Sequence, residues 1–169
     1  MCIRDRVYFK QLYFEKGKNV KVSKAQKSDI PEIIQFNINM AMETENKKLD
    51  EKTVTNGVHE VFNSPSLGYY IIVKDSSGIL GCLMITYEWS DWRNGLFWWI
   101  QSVYVKKTYR RKGVFKKMYK FIHERAINDK KCTGIRLYVE NNNSIAQKVY
   151  NNLGMEETYY KLFEVDFNE

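Results

Sequence analysis

Hydrophobic positions along the chain recur with two spacings, and each spacing predicts one kind of element. Four segments carry apolar residues every three or four positions, which predicts amphipathic helices over 30–41, 54–62, 115–126 and 145–153. Ser28 is the predicted N-cap of the first helix, and Gly154 is the residue that ends the last one. Other segments are rich in β-branched and aromatic residues and predict strands over 20–25, 69–73, 79–89, 96–105, 135–139 and 156–167.

The order of these elements, β, α, α, β, β, β, α, β, α, β, predicts a mixed α/β (α+β) domain. Strands joined by short turns pair antiparallel, whereas the helix between the fourth and fifth strands makes a crossover connection. A chain of 169 residues with 44% hydrophobic residues is long enough to bury one core. We therefore expect a largely antiparallel central sheet flanked by about four helices.

The first 19 residues fit this pattern poorly, so we place the domain at 20–169 and treat 1–19 as an N-terminal extension. The opening hexapeptide, Met-Cys-Ile-Arg-Asp-Arg, resembles the translation of a sequencing adaptor, which predicts a gene-model artefact. The alternative is a native extra strand or arm, because residues 7–14 are rich in β-type side chains.

The composition also indicates the cellular compartment of the protein. Long stretches without a charged residue, such as 76–87 and 94–105, are too short to cross a bilayer as helices. The N-terminus lacks the long apolar core of a secretory signal. Cys2, Cys82 and Cys132 are an odd number at wide spacings without a metal-binding pattern, which favours reduced thiols. We expect a cytoplasmic protein with no membrane partner and no metal.

The net charge of +7 is distributed unevenly along the chain. Residues 106–131 carry 11 Lys or Arg against Glu124 and Asp129, a local charge of +9, whereas residues 25–105 carry 6 against 10, a local charge of −4. This pattern predicts a polyanionic ligand beside the basic segment and a cationic ligand beside the acidic one. The alternative for the basic segment is a nucleic-acid-binding surface.

The basic segment begins where the fourth predicted strand ends in a turn with one glycine, Gly113, followed at once by a helix. The first N–H groups of a helix lack internal partners, and the helix dipole is positive at that end. Arg110, Arg111 and Lys112 add positive charge, and Gly113 lets an anion approach the main chain. The turn therefore predicts a phosphate site. The alternative is a solvated basic helix start.

Two motifs resemble the GNAT superfamily of N-acyltransferases, which use acetyl-coenzyme A (acetyl-CoA), and the resemblance covers residues 20–167. The family's pyrophosphate motif is Gln/Arg-x-x-Gly-x-Gly/Ala, and residues 110–115 match it except that Phe115 replaces the small residue. The family's second pattern, Asn-x-x-Ala-x-x-x-Tyr-x-x-x-Gly-Phe, is similar to residues 143–155, which end in Met155. The resemblance implies a GNAT-like fold and allows a homodimer.

The resemblance also implies which residues meet acetyl-CoA. The pantetheine arm would bind along the fourth strand, which splays from the fifth, and the diphosphate would bind at the helix start. Tyr150 matches the family's proton donor to the thiolate, and a packed Tyr is the alternative. Asn143 would either cap the last helix or lie beside the cofactor arm. The implied cofactor residues are Val103, Tyr104, Val105, Arg110, Arg111, Lys112, Gly113, Val114, Phe115, Lys116 and Asn143.

The general base is less well defined, because the fourth strand has no carboxylate where many relatives of the family carry one. Gln101 on that strand can bind substrate or orient water. Carboxylates elsewhere are base candidates, and a water relay or an amine that arrives neutral would remove the need for one. The carboxylate candidates are Glu43, Glu45, Glu88 and Asp91.

Aromatic residues lie near these carboxylates in the sequence, which suits an alkylammonium substrate. They are Tyr87, Trp89, Trp92, Trp98 and Trp99. The predicted function is an acetyl-CoA-dependent N-acetyltransferase that acts on a primary amine, with a small cationic amine (polyamine-like, amino sugar or aminoglycoside type) as acceptor. A protein N-terminus or lysine is the alternative acceptor. The alternative functions are a CoA-binding domain without catalysis and a nucleic-acid-binding protein.

Overall fold

Five strands and four helices make up the structure, a computed structural model that describes residues 19–167. Residues 1–18 of the predicted N-terminal extension, with Cys2, therefore lie outside the described residues. The chain divides into two units, Met1–Leu137 and Tyr138–Glu169, and each is described by itself. The elements are β1 (Lys21–Lys24), α1 (Ile30–Glu45), α2 (Glu51–Asn63), β2 (Tyr69–Asp75), β3 (Gly78–Ser90), β4 (Gly95–Val105), α3 (Val114–Asn128), β5 (Cys132–Arg136) and α4 (Ser144–Asn152).

The first unit contains the whole sheet, in the order β1-β2-β3-β4-β5. The first four strands pair antiparallel with their neighbours, and β5 pairs parallel with β4 because α3 forms a crossover between them. These pairings confirm the predicted mixed, largely antiparallel sheet. Within residues 19–167, no helix is both long enough and apolar enough to cross a membrane.

The apolar stripes of the helices form the core against the sheet. Ile33 and Phe36 of α1 and Val58 of α2 belong to one buried cluster with Ile72 of β2 and Tyr104 of β4. Helix α3 contacts β2, β3 and β5 and buries its own stripe, whose innermost residues are Val114, Met118 and Ile122. Full burial of one such side chain contributes roughly 1.5–3 kcal/mol, so these contacts hold the ends of α1, β4 and α3 in place.

Two predicted helix starts are corrected by the structure. Helix α1 begins at Ile30 after a 3-10 turn over Lys27–Asp29, so Ser28 is not its N-cap. Asp29 is instead at the N-cap position of α1, and its carboxylate accepts a hydrogen bond from the Gln26 N–H at 2.8 Å. At the start of α3, Val114 is the buried residue, whereas Phe115 is half-buried with its ring 6.3 Å from that of Tyr119.

Two predicted strands are also corrected. The predicted strand over 135–139 is β5, which covers Cys132–Arg136 and therefore includes Gly134. A Cβ at Gly134 would come within 2.6 Å of the Phe97 ring, so the strand needs glycine there. The predicted strand over 156–167 is wrong: in the described second unit this segment has no strand, and Tyr159, Phe163 and Phe167 are exposed. Alternating apolar residues form a strand only when another strand pairs with them.

Candidate functional site

β4 extends beyond its pairing with β5, which gives it an open edge. The parallel ladder runs from Leu96 opposite Cys132 to Trp99 opposite Arg136, where β5 ends. From there to Val105, β4 pairs only with β3, so the N–H and C=O groups on its other side face no strand among residues 19–167. We call residues 100–105 the open edge of β4. An extended ligand that carries amides can bind such an edge as an added strand.

A bulge lies within this open edge. The register between β3 and β4 shifts between Cys82 and Met84, which pair with Tyr104 and Gln101, and Ser102 has a φ of 49°. A bulge bends its strand and increases the local twist. The three residues predicted at the cofactor, Val103, Tyr104 and Val105, therefore follow directly after the bend.

The turn after β4 has the backbone of an anion site. Arg111 has a φ of 61° and Gly113 a φ of 76°, whereas Lys112 between them is not in the positive range. Alternation of this kind turns successive N–H groups toward one concave surface, which binds anions. Gly113 is the N-cap of α3, and a Cβ added to it would meet nothing within 4 Å, so the space over the turn is open. We call residues 110–114 the glycine turn.

Most basic side chains around the glycine turn are exposed to solvent, and one is paired with a carboxylate. Arg111, Lys112 and Lys116 are exposed, so they add positive potential at the helix start. Arg110 instead donates from Nε to the Val105 carbonyl oxygen at 2.9 Å and from Nη2 to Oε2 of Glu43 at 2.6 Å. The predicted cofactor residues between Val103 and Lys116 thus lie on the end of β4, the glycine turn and the start of α3, where Tyr104 and Val114 are buried and the Arg110 side chain is already bound to protein.

Glu43, a predicted base candidate, lies at the centre of a hydrogen-bonded network. Besides Arg110, it accepts a hydrogen bond from the Tyr104 hydroxyl at 3.1 Å, and Lys107 Nζ lies 3.5 Å from Oε1. Partial burial raises the pKa of the Glu43 carboxyl, but the hydrogen bonds from Arg110 and Tyr104 outweigh it and leave the pKa below its ordinary value. The carboxylate stays ionised at neutral pH and is a weak base.

A second cluster of polar residues lies on β3, β4 and β5, near the point where β4 and β5 separate. Glu88 accepts hydrogen bonds from the Trp99 indole N–H and from Arg136 Nη1, the latter at 2.6 Å. Gln101 donates from Nε2 to the Thr86 hydroxyl at 2.6 Å. The structure thus brings two predicted substrate residues, Glu88 and Gln101, to one face of the sheet. Sequence analysis missed Arg136, because the parallel register that places it opposite Trp99 leaves no local signal.

The family assignment rests on a sequence match as well as on this geometry. The sequence profile of the Acetyltransferase (GNAT) family matches residues 35–155, which include β4, the glycine turn and the second motif through Met155. The chain belongs to this family. The match covers well over half of the 169 residues.

Solved structures support the fold of this GNAT chain. A possible acetyltransferase from Clostridium difficile 630 is 40% identical, with a TM-score of 0.82, over 89% of this chain and 99% of its own. A predicted acetyltransferase with acetyl-CoA from Clostridium acetobutylicum is 17% identical (TM-score 0.71; 88% and 96% covered). An aminoglycoside N-acetyltransferase in complex with CoA is 15% identical (TM-score 0.69; 92% and 99% covered), and these last two show the fold alone. Comparison with curated protein sequences gives no match.

The second unit of the GNAT chain carries the second motif on helix α4. Asn143 is the N-cap, and its side-chain oxygen accepts a hydrogen bond from the Ala146 N–H at 3.1 Å. Gly154 follows the helix with a φ of 82°, as predicted for the residue that ends it. Tyr150 is half-buried, and burial raises the pKa of its hydroxyl, so this phenol is protonated at neutral pH.

The remaining acceptor-side candidates are dispersed. Glu45 ends α1 and is exposed, and Asp91 lies in the β3–β4 turn, where its carboxylate accepts the Trp92 N–H at 2.8 Å. The aromatic residues do not form one group. Tyr87 and Trp98 pack edge to face with ring centroids 6.3 Å apart, whereas Trp89 and Trp92 are exposed. Sequence proximity alone therefore overestimated the aromatic lining of the acceptor side.

Proposed function

We propose that this GNAT protein transfers the acetyl group of acetyl-CoA to a primary amine. The observation that carries the proposal is that the open edge of β4 is followed, after a short 3-10 turn over Lys107–Tyr109, by the glycine turn. The edge offers main-chain groups to the amides of the pantetheine arm, and the turn offers converging N–H groups to the diphosphate. The residues present therefore fit both polar parts of this co-substrate.

The chemistry requires a polarised thioester, a neutral amine and a proton for the leaving thiolate. In the proposal, a main-chain N–H of the open edge of β4 donates to the thioester carbonyl oxygen as negative charge develops there. The amine nitrogen attacks the carbonyl carbon, the C–S bond breaks, and the Tyr150 hydroxyl gives its proton to the sulfur. A cationic amine first loses one proton to water and becomes neutral. After the attack the nitrogen loses a second proton to water, since Glu43 and Glu88 are both held by arginine, and the Tyr150 phenolate regains a proton from water.

For the acceptor, we propose a small cationic amine. Residues 25–105 carry a local charge of −4, and Trp89 and Trp92 expose aromatic surface at the β3–β4 turn. Aromatic faces and negative potential both attract alkylammonium groups. The test is a panel of polyamines, amino sugars and acidic amino acids with acetyl-CoA, with thiol release as the readout. The proposal predicts turnover of the cationic members, and a preference for acidic acceptors would contradict it.

A second candidate function is CoA binding without catalysis. It is favoured by one observation, namely that β4 has no carboxylate and that Glu43 and Glu88 are both engaged in ion pairs. Tight CoA binding without thiol release across the amine panel would select this function. Turnover of any amine well above the rate of thioester hydrolysis would exclude it.

Exposed charge at the glycine turn predicts a salt-dependent affinity. Arg111→Ala is expected to weaken CoA binding about fivefold at ~0.02 M salt and less than about twofold at ~0.5 M, because ions screen an exposed charge. Calorimetric titrations at the two salt concentrations measure the effect. Arginine and alanine both carry a Cβ, so Arg111→Ala keeps the strain of the positive φ and removes the charged side chain, whereas Arg111→Gly removes the charge and relieves the strain as well. An equal loss at both salt concentrations would contradict an electrostatic role.

A further inference from the structure

Glu43 connects helix α1 to both parts of the predicted cofactor surface. Its carboxylate binds Tyr104, which lies on the open edge of β4, and Arg110, which is the first residue of the glycine turn. Arg110 is fixed a second time by the Val105 carbonyl oxygen, and its guanidinium carbon lies 5.6 Å from the centroid of the Tyr104 ring. The Arg110 side chain is therefore held from two directions, by the end of β4 and by the end of α1.

The residue that follows Arg110 needs such support. Arg111 has a φ of 61°, a left-handed conformation that is unfavourable for any residue with a Cβ. Conformations of this kind persist only where the surrounding structure enforces them. Arg111 itself is exposed, and its side chain makes no hydrogen bond or ion pair within residues 19–167, so it does not supply the constraint. The nearest anchored side chain in the turn is that of Arg110.

We propose that Glu43 is a positioning residue for acyl-CoA: it fixes Arg110, and through Arg110 it holds Arg111 in the left-handed conformation that completes the anion-binding backbone. This inference rests on the proposed function. It assigns Glu43 to the cofactor and removes it from the candidates for general base. A negative charge beside a phosphate site is otherwise unfavourable, and here its neutralisation by Arg110 and Lys107 explains why it is tolerated.

A second ion pair between α1 and the same segment provides a matched control. Lys106 Nζ lies 2.7 Å from Oε1 of Glu32, near the start of α1, and 5.5 Å from the Phe36 ring centroid. Glu32 and Glu43 thus both tie α1 to the chain after β4, but only Glu43 contacts Arg110 among the described ion pairs. Glu32→Gln removes an equivalent charge without releasing Arg110.

The experiment measures CoA affinity by calorimetry for the wild type, Glu43→Gln, Arg110→Gln and the double variant. Each single substitution is expected to lower the affinity for CoA about tenfold, as is typical for loss of a charge-assisted hydrogen bond. The double variant is expected to lose no more affinity than the single variant with the larger loss, because both substitutions break the same interaction. The affinity of these variants for dephospho-CoA is expected to fall by the same factor, because this ligand keeps the diphosphate on which the effect acts. Glu32→Gln is expected to bind both ligands like the wild type.

Arg111→Gly supplies the decisive background, because glycine adopts a positive φ without support. In that background, Glu43→Gln is expected to change CoA affinity by less than about twofold. An equal tenfold loss in both backgrounds, an unchanged affinity of Glu43→Gln, or a higher affinity from removing its charge would each overturn the inference. Failure of the wild type to bind CoA would instead overturn the proposed function, so the two failures are distinguishable.

Discussion

Gly113→Glu is expected to abolish measurable CoA binding while the protein stays folded. The new Cβ would enter the open space above the glycine turn, which is where the proposal places the diphosphate, and the carboxylate would repel it. The φ of 76° makes any side chain at this position unfavourable by roughly 1–2 kcal/mol, so a modest fall in melting temperature accompanies the loss. Calorimetry with CoA and a thermal melt measure the two effects.

Gly57→Glu is the matched control for this substitution. Gly57 lies exposed on α2, and a Cβ added there also meets nothing within 4 Å, but its φ is not positive. The control introduces the same side chain and charge without touching the glycine turn, and it is expected to bind CoA with the affinity of the wild type. Wild-type affinity in Gly113→Glu would remove the turn from the cofactor site.

Tyr150→Phe is expected to lower kcat by about a hundredfold, the lower range for loss of a general acid, with little change in the affinity for CoA. The substitution removes one hydroxyl from a half-buried ring and keeps its shape. Since burial raises the pKa of Tyr150, the wild-type rate is not expected to fall through ionisation of this phenol until the pH exceeds about 10. The measurements are kcat against pH for the best acceptor of the amine panel and a CoA titration of both proteins.

Tyr160→Phe is the control, because Tyr160 is an exposed tyrosine in the same unit. It is expected to keep the wild-type kcat at every pH. An unchanged kcat in Tyr150→Phe would show that the thiolate takes its proton from another source. A large loss of CoA affinity in that variant would show that Tyr150 binds the co-substrate and does not act as an acid.

The features that were predictable from sequence are those encoded in neighbouring residues. The apolar stripe after Gly113, the β-type run before Arg110 and the N-cap at Asn143 each have a local signal, and the structure has the corresponding α3, β4 and α4. Helix and strand periodicity are short-range properties, so one chain segment is sufficient to show them.

The features that sequence analysis missed depend on contacts between distant segments. The Glu43–Arg110 pair spans 67 residues and the Glu88–Arg136 pair 48, and no spacing rule connects such positions. The predicted strand over 135–139 begins after Gly134, whereas β5 includes Gly134, and the Phe97 ring of the neighbouring strand occupies the space that a side chain there would need. Residues 156–167 have a strand-like pattern, yet pairing and not pattern decides whether a strand forms.

The most direct test of the account is a calorimetric titration of CoA into the natively folded wild-type protein, with a thermal melt at saturating ligand. The account predicts one site with a dissociation constant of about 1–100 μM, and at a hundredfold excess over that constant about 2.7 kcal/mol of added stability, which raises the melting temperature by roughly 5–10 °C. A titration without heat together with an unchanged melting temperature would contradict it.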